Sequence, residues 1–184
     1  MRFNSPEHLE TWRTTGRYPA IHDALANVAV ADVRGRRLVD LGCSYGLLGA
    51  RVVAEAGLEF GLGIDADGAV LAAARAAGVP IELEEMKVTE VTIPRLSDML
   101  EYHRIDVMVA RRVLPELFGA DLTAGQRFVE MLCQVGIKEV FLEGRVDSPK
   151  SVNALRSIAQ EVELLAPWFR EVRRIGGVSY LVAA

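Results

Sequence analysis

The stretch that decides the fold runs from Arg36 to Val53 and reads RRLVDLGCSYGLLGARVV. It begins apolar at Leu38 and Val39, meets an acid at Asp40, and enters a loop with glycines at 42, 46 and 49. Apolar residues then return at helical spacing through Leu48 and Val52. A strand, a tight glycine turn and a helix, in that order, make a cofactor site. In an open α/β sheet the ligand lies beyond the carboxyl ends of the strands, near the point where strand order reverses. Gly42 and Gly46 let the backbone turn and come close to a ligand where a Cβ would obstruct. The helix that starts near Gly46 directs its free N–H groups the same way.

Outward from this stretch the chain alternates. Strand candidates, short and apolar, fall at 37–41, 60–64, 81–84, 105–110 and 137–142, with helices at 47–56, 68–77, 94–102 and 123–135 between them. Such alternation predicts a parallel sheet covered by helices on both faces. The end of the chain differs. A helix over about 151–165 stops at Pro167, and WFREVRRI, GG and VSYLVAA then read as two strands joined at Gly176 and Gly177. The beginning differs too. SPEHLETWR opens with a Ser cap and a Pro in the first turn. A second helix over 19–31 places Ile21, Leu25 and Val28 on one face. The chain therefore divides into an N-terminal helical cap, 1–34, and a core, 35–184.

At 184 residues the chain is most simply one α/β domain with a core of its own. It has no apolar run approaching the ~20 residues of a membrane span, and its first residues lack the apolar centre of a signal peptide. The expectation is a cytoplasmic protein with no membrane partner. Cys43 and Cys133 are too few for a disulfide framework or a zinc site, and His8, His22 and His103 are scattered, so no metal is expected. A formal net charge of −4 gives no general attraction to nucleic acid. Three arginine clusters, at 34, 36 and 37, at 111 and 112, and at 170, 173 and 174, would form a phosphate track on RNA or DNA or else pair with nearby acids.

The next strand, FGLGID, ends in Asp65, nineteen residues after Gly46, where an acid can accept hydrogen bonds from a ribose diol. That pairing also serves NAD. The nicotinamide fingerprint, however, is Gly-x-Gly-x-x-Gly directly after the strand; here the nearest match, Ser44 to Gly49, lacks the first glycine. The chain resembles instead the class I methyltransferases that use S-adenosylmethionine. Their first motif stands here as Asp40-Leu41-Gly42-Cys43-Ser44-Tyr45-Gly46, with Ser44 where many members have a glycine. GIDAD, IDVMVARRVLPEL and the terminal REVRRIGGVSYLV match the family's second strand, fourth strand and closing hairpin. The resemblance covers about residues 36 to 184. It implies a seven-stranded, mostly parallel sheet of order 3-2-1-4-5-7-6, the last strand antiparallel, with helices on both faces.

The resemblance also implies the cofactor, S-adenosylmethionine, and the residues that hold it. Asp40 would help hold the methionine end, with Gly42, Cys43, Ser44 and Gly46 behind it. Asp65 would bind the ribose hydroxyls, and Ala66 would border the adenine. Glu85, or failing it Glu84, would take the adenine amine, with Met86 packing on the ring; Ala110, at the end of the fourth strand, completes the set.

Absences narrow the acceptor. Ala110-Arg111-Arg112-Val113 stands where methyltransferases of DNA exocyclic amines carry Asn/Asp-Pro-Pro-aromatic. Neither cysteine is placed as the nucleophile that pyrimidine carbon-5 methylation needs. Near the expected cleft stand Arg111, Arg112, Glu116, Glu143 and Arg145. Glu143 is the candidate base or orienting group, and Arg111 or Arg112 the candidate for a substrate carboxylate or phosphate. In the cap, Trp12, Arg13, Arg17, Tyr18 and His22 would line a lid, Tyr18 and His22 toward the substrate. The expected function is metal-independent O- or N-methylation of a small or medium-sized molecule, by a monomer or homodimer. A methyltransferase of RNA or DNA and a non-catalytic module of the same fold are the alternatives.

Overall fold

The computed structural model describes residues 36–119, 122–146, 154–176 and 179–183. The expected cap, 1–34, with Tyr18 and His22, lies outside the described residues. So do residues 177–178 of the hairpin turn.

The sheet begins with β1 (Arg37–Leu41), β2 (Phe60–Asp65) and β3 (Glu82–Glu85). It continues with β4 (Val107–Arg111) and β5 (Glu139–Glu143), and closes with β6 (Glu171–Gly176) and β7 (Ser179–Ala183). Its order is β3-β2-β1-β4-β5-β7-β6. The first five strands pair in parallel, and β7 runs antiparallel to both β5 and β6. Helices α1 (Leu47–Ala56), α2 (Gly68–Ala76), α3 (Ile93–Tyr102), α4 (Leu114–Phe118), α5 (Leu122–Gln134) and α6 (Ile158–Leu165) fill the connections. A strand buried on both faces must be apolar throughout, and Leu38, Val107, Val109 and Phe141 are fully buried. They pack with Leu48 and Val52 of α1 on one side. On the other, Val39, Leu41, Met108 and Leu142 join Leu96, Phe128 and Leu165 from α3, α5 and α6.

β1 and β2 start where the apolar pattern puts them, but β4 and β5 start two residues later, and the reason is a helix ending that recurs along the chain. The amides of Leu58, Val79, Ile105 and Ile137 reach back to the carbonyls of Val53, Ala74, Leu100 and Leu132. Each is preceded by a residue of positive φ, respectively Gly57, Gly78, Arg104 and Gly136. This is the Schellman ending, in which the apolar residue after the left-handed one folds back on the helix it closes. Ile105 and Ile137 are buried as cap residues, so β4 begins at Val107 and β5 at Glu139 rather than at 105 and 137. The last helix is also shorter than 151–165. Ala154 N–H bonds the Gly119 carbonyl and Ile158 N–H the Arg145 carbonyl, so this stretch is spent on neighbours. The helix starts at Ile158, where the Ser157 hydroxyl accepts the Gln160 N–H.

At the amino ends of the strands, Arg36 binds Asp106 and Glu139, at 3.2 and 2.5 Å. Arg37 donates to the His103 carbonyl and lies 4.5 Å over the Phe60 ring. Arg36 and Arg37 are thus paired within the chain, while Arg34, the third member of the expected cluster, lies outside the described residues.

Helix α1 packs closely on β2 because β2 carries glycine at 61. A Cβ on Gly61 would stand 2.5 Å from Val53 Cγ2 and 2.7 Å from Ile81 Cγ2. Overpacking of this kind costs ~1–3 kcal/mol. Gly61→Ala is expected to lower the urea midpoint accordingly, read by circular dichroism. An unchanged midpoint would contradict this packing.

Candidate functional site

The glycine loop is held at the carboxyl end of β2. The Ile64 carbonyl accepts the N–H groups of both Gly42 and Cys43, at 2.8 and 3.0 Å. The Asp65 carboxylate then fixes the rest: Oδ2 accepts from Ser44 N–H at 2.8 Å and Oδ1 from Asp67 N–H at 3.0 Å. Gly42, Ser44 and Gly46 all have positive φ, at 70, 53 and 68°. That conformation costs a side-chain-bearing residue about 1–2 kcal/mol. Glycine is therefore the easy residue at 44, and the bond from the Ser44 amide to Asp65 helps to hold the serine in that conformation. Gly46 is the residue before α1, and a Cβ on it would meet Ile81 and Val79 at 3.0 and 3.2 Å.

Asp40 is buried beneath this loop, and its Oδ2 accepts the Gly49 N–H at 2.8 Å. It thus braces the first turn of α1 from below. Burial pushes its carboxyl up to about 7; the Gly49 bond opposes this, the Asp65 charge adds to it, and Arg111 opposes it. Cys43 is buried against Gly63, and burial with the Asp40 and Asp65 charges holds its thiol far above its usual range. It fills space and is chemically quiet.

Asp65 and Glu85 are register partners at the ends of β2 and β3, and the Glu85 side chain lies against Gly68 at the start of α2. Ala66 is exposed beside them. Met86, expected to pack on the adenine ring, has its side chain buried in the core with Leu62 and Ile64. Its amide bonds the Asp65 carbonyl instead. Ala110, buried at the end of β4, also belongs to that core. The donor set nonetheless suits S-adenosylmethionine. Two carboxylates stand side by side where a ribose diol and an aromatic amine need acceptors, and Asp65 is held in one orientation by two backbone amides.

Beyond β4 and β5 the structure brings together the second group expected from the sequence. Arg111 and Glu143 are register partners. Arg111 Nε lies 2.8 Å from Glu143 Oε2 and Arg112 Nε 3.1 Å from Oε1. Arg112 takes positive φ, 55°, and its own N–H bonds the Glu143 carbonyl at 2.7 Å. Glu143 is fully buried with both oxygens engaged by guanidiniums. The expected role as a base does not fit this placement, because the carboxylate is out of reach of solvent and its charge is held between two guanidiniums. It positions the two arginines. Removing one partner of such a buried pair typically costs ~3–5 kcal/mol.

Next to this pair is a cleft lined by Arg112, Pro115, Glu116, Arg145, Arg156 and Glu161, enclosing about 10 Å³. Glu161 and Arg156 are site residues that the sequence did not reveal. Their segment reads as plain amphipathic helix, and only the bond from Ile158 N–H to Arg145 turns it toward the strand ends. Glu161 is buried, and that burial lifts its carboxyl to about 8, against the pull of Arg145 and with the push of Glu143. Among the described residues no group of three His, Cys, Asp or Glu side chains could hold a metal ion. None of the described helices is long and apolar enough to cross a membrane.

The Asp40 shift has a definite sign. Its pKa is higher folded than unfolded, so the folded state holds the proton longer, and stability falls as pH rises from about 4 to about 7. Glu161 acts in the same direction up to about 8. Asp40→Asn keeps an acceptor for Gly49 and removes the buried charge. Urea unfolding from pH 4 to 8 is expected to show the variant gaining on the wild type across that window. Parallel curves would contradict it.

No protein-family model and no curated protein matches the chain. Solved structures do. A crystal structure of monomeric WbdD is 20% identical with a TM-score of 0.68, over 100% of this chain and 45% of that one. The pyocyanin biosynthetic protein PhzM is 17% identical with a TM-score of 0.61, over 97% of this chain and 58% of that one. A TehB-like SAM-dependent methyltransferase from Corynebacterium glutamicum is 14% identical with a TM-score of 0.56, over 97% of both chains. The chain thus spans roughly half the length of WbdD and PhzM, and nearly all of the TehB-like protein. Another WbdD structure is described as a bifunctional kinase-methyltransferase. With the sheet order and the glycine loop above, these likenesses give the chain the class I fold of S-adenosylmethionine-dependent methyltransferases.

Proposed function

We propose that the chain is a metal-independent, S-adenosylmethionine-dependent methyltransferase acting at O or N of a small or medium-sized molecule. The observation that carries this reading is the pairing of Asp65 and Glu85, in register beyond a glycine loop clamped to β2. When bound, the cofactor supplies a methyl group already activated on a sulfonium. This chain's residues then have orientation as their main task, an effect worth up to ~7–11 kcal/mol. Asp65 would accept from the ribose diol and Glu85 from the adenine amine. Asp40 would act through the loop it braces. The Glu143 clamp would hold Arg111 and Arg112 at the acceptor side. Tyr18 and His22 of the cap remain candidates for the substrate wall.

The RNA or DNA reading has less behind it at the amino ends of the strands, where Arg36 and Arg37 are engaged by Asp106, Glu139 and the His103 carbonyl. Of the last cluster, Arg173 and Arg174 lie on the edge strand β6.

Calorimetric titration with S-adenosylmethionine is the test. Micromolar binding is expected, weakened at least ~10-fold in Asp65→Ala, which removes a charged hydrogen-bonding partner worth ~1.5–3 kcal/mol. Binding with no transfer to any acceptor would favour a non-catalytic module. Absence of binding, or tighter binding of NAD, would overturn the proposal.

A further inference from the structure

The cleft beyond β4 and β5 is lined by three guanidiniums, those of Arg112, Arg145 and Arg156, and two carboxyls, those of Glu116 and Glu161. Arg112 is a third exposed and is held by Glu143 from behind, so its remaining N–H groups are presented at a fixed angle. Glu161 is the unusual member. It is 1% exposed, and its Oε1 has no hydrogen-bond partner among the described residues. A buried polar oxygen without a partner costs ~1–3 kcal/mol and calls for an explanation. Its Oε1 lies in the space that the missing side chain of Gly144 leaves open, 2.7 Å from where a Cβ there would stand. A ligand group in the cleft would satisfy it, provided that group accepts a hydrogen bond.

We propose that an oxyanion group, a carboxylate or a phosphate, seats at the open side of this cleft, gripped by Arg112, Arg145 and Arg156, with one of its oxygens entering the enclosed space toward the Glu161 carboxyl. Guanidiniums match such a group through paired N–H donors. A neutral acid adds a further donor with no repulsion. Resting on the methyltransferase reading of the neighbouring loop, this makes the methyl acceptor an acid: a molecule whose carboxylate or phosphate anchors it while another O or N faces the methyl group. The burial that keeps Glu161 protonated at neutral pH supports the arrangement. The charged groups facing it are Arg145 and Glu143 from β5 and its following loop, Arg112 and Glu116 from the end of β4 and the start of α4, and Arg156 from its own segment.

The test is calorimetry on the whole chain with benzoate and with phenyl phosphate as probes, and separately with S-adenosylmethionine. At least one probe should bind, and Arg145→Gln and Arg156→Gln should each weaken it tenfold or more with methyl-donor affinity unchanged. Arg156 is exposed, so its variant is expected to fold, which a thermal melt checks. Probe affinity should fall as pH rises from 7 to 9, and Glu161→Gln should flatten that fall. Benzoate alone binding identifies a carboxylate, and phenyl phosphate alone a phosphate. No binding of either at millimolar concentration, or equal binding by the variants, overturns the proposal. Probe binding with no methyl-donor binding would leave the oxyanion cleft standing and sink the cofactor reading; the reverse would sink the cleft alone.

Discussion

The arrangement depends on the hold that the end of β2 has on the loop after β1. One carbonyl, that of Ile64, takes two amides, and one carboxylate, that of Asp65, takes a third from Ser44. Those three bonds stabilise a loop in which three residues have positive φ, and they set where α1 begins. They also couple two tasks in one side chain. Asp65 both fixes the loop and faces the ligand side of the sheet. The oxygens that would meet a ribose are therefore positioned before any ligand arrives, which lowers the ordering cost of binding.

A second hold, at the ends of β4 and β5, has the same form with the charges reversed. There a buried carboxylate, Glu143, organises two guanidiniums. Between them the two clamps divide the carboxyl edge of the sheet into an acidic half, with Asp65 and Glu85, and a cationic half, with Arg111, Arg112 and Arg145. A cationic cofactor with a diol and an amine suits the first half. An anionic acceptor suits the second. Opposite local charge on the two sides would keep each ligand from the other's place.

Much of the fold was legible because strands buried on both faces must be apolar and the turns between them need glycine. β1, α1 and β2 appear in the sequence almost residue for residue. The starts of β4 and β5 did not, because Ile105 and Ile137 serve as apolar closures of the preceding helices, and an apolar residue before a strand looks the same in either role. Among the candidate site residues, Asp65 and Glu85 were put by spacing and resemblance beside the ends of two strands, and they stand in register at the ends of β2 and β3. Glu143 was found by position, but its role turned on partners thirty residues away in sequence, which no local pattern encodes. The burial of Met86 was not legible for a related reason: β3 ends one residue later than its apolar pattern suggests, and Met86 turns into the core. Glu161 was invisible, because a glutamate on an amphipathic helix reads as a solvated one until the helix is docked.

The central claim is that the ends of β1, β2 and β3 form one preformed cofactor site. Two-dimensional amide NMR during titration with S-adenosylmethionine tests it most directly. The account predicts saturable shifts concentrated at residues 42–46, 65–67 and 85–86, with the remaining core amides nearly still. Shifts confined to another part of the sheet, or none at millimolar cofactor, would contradict it.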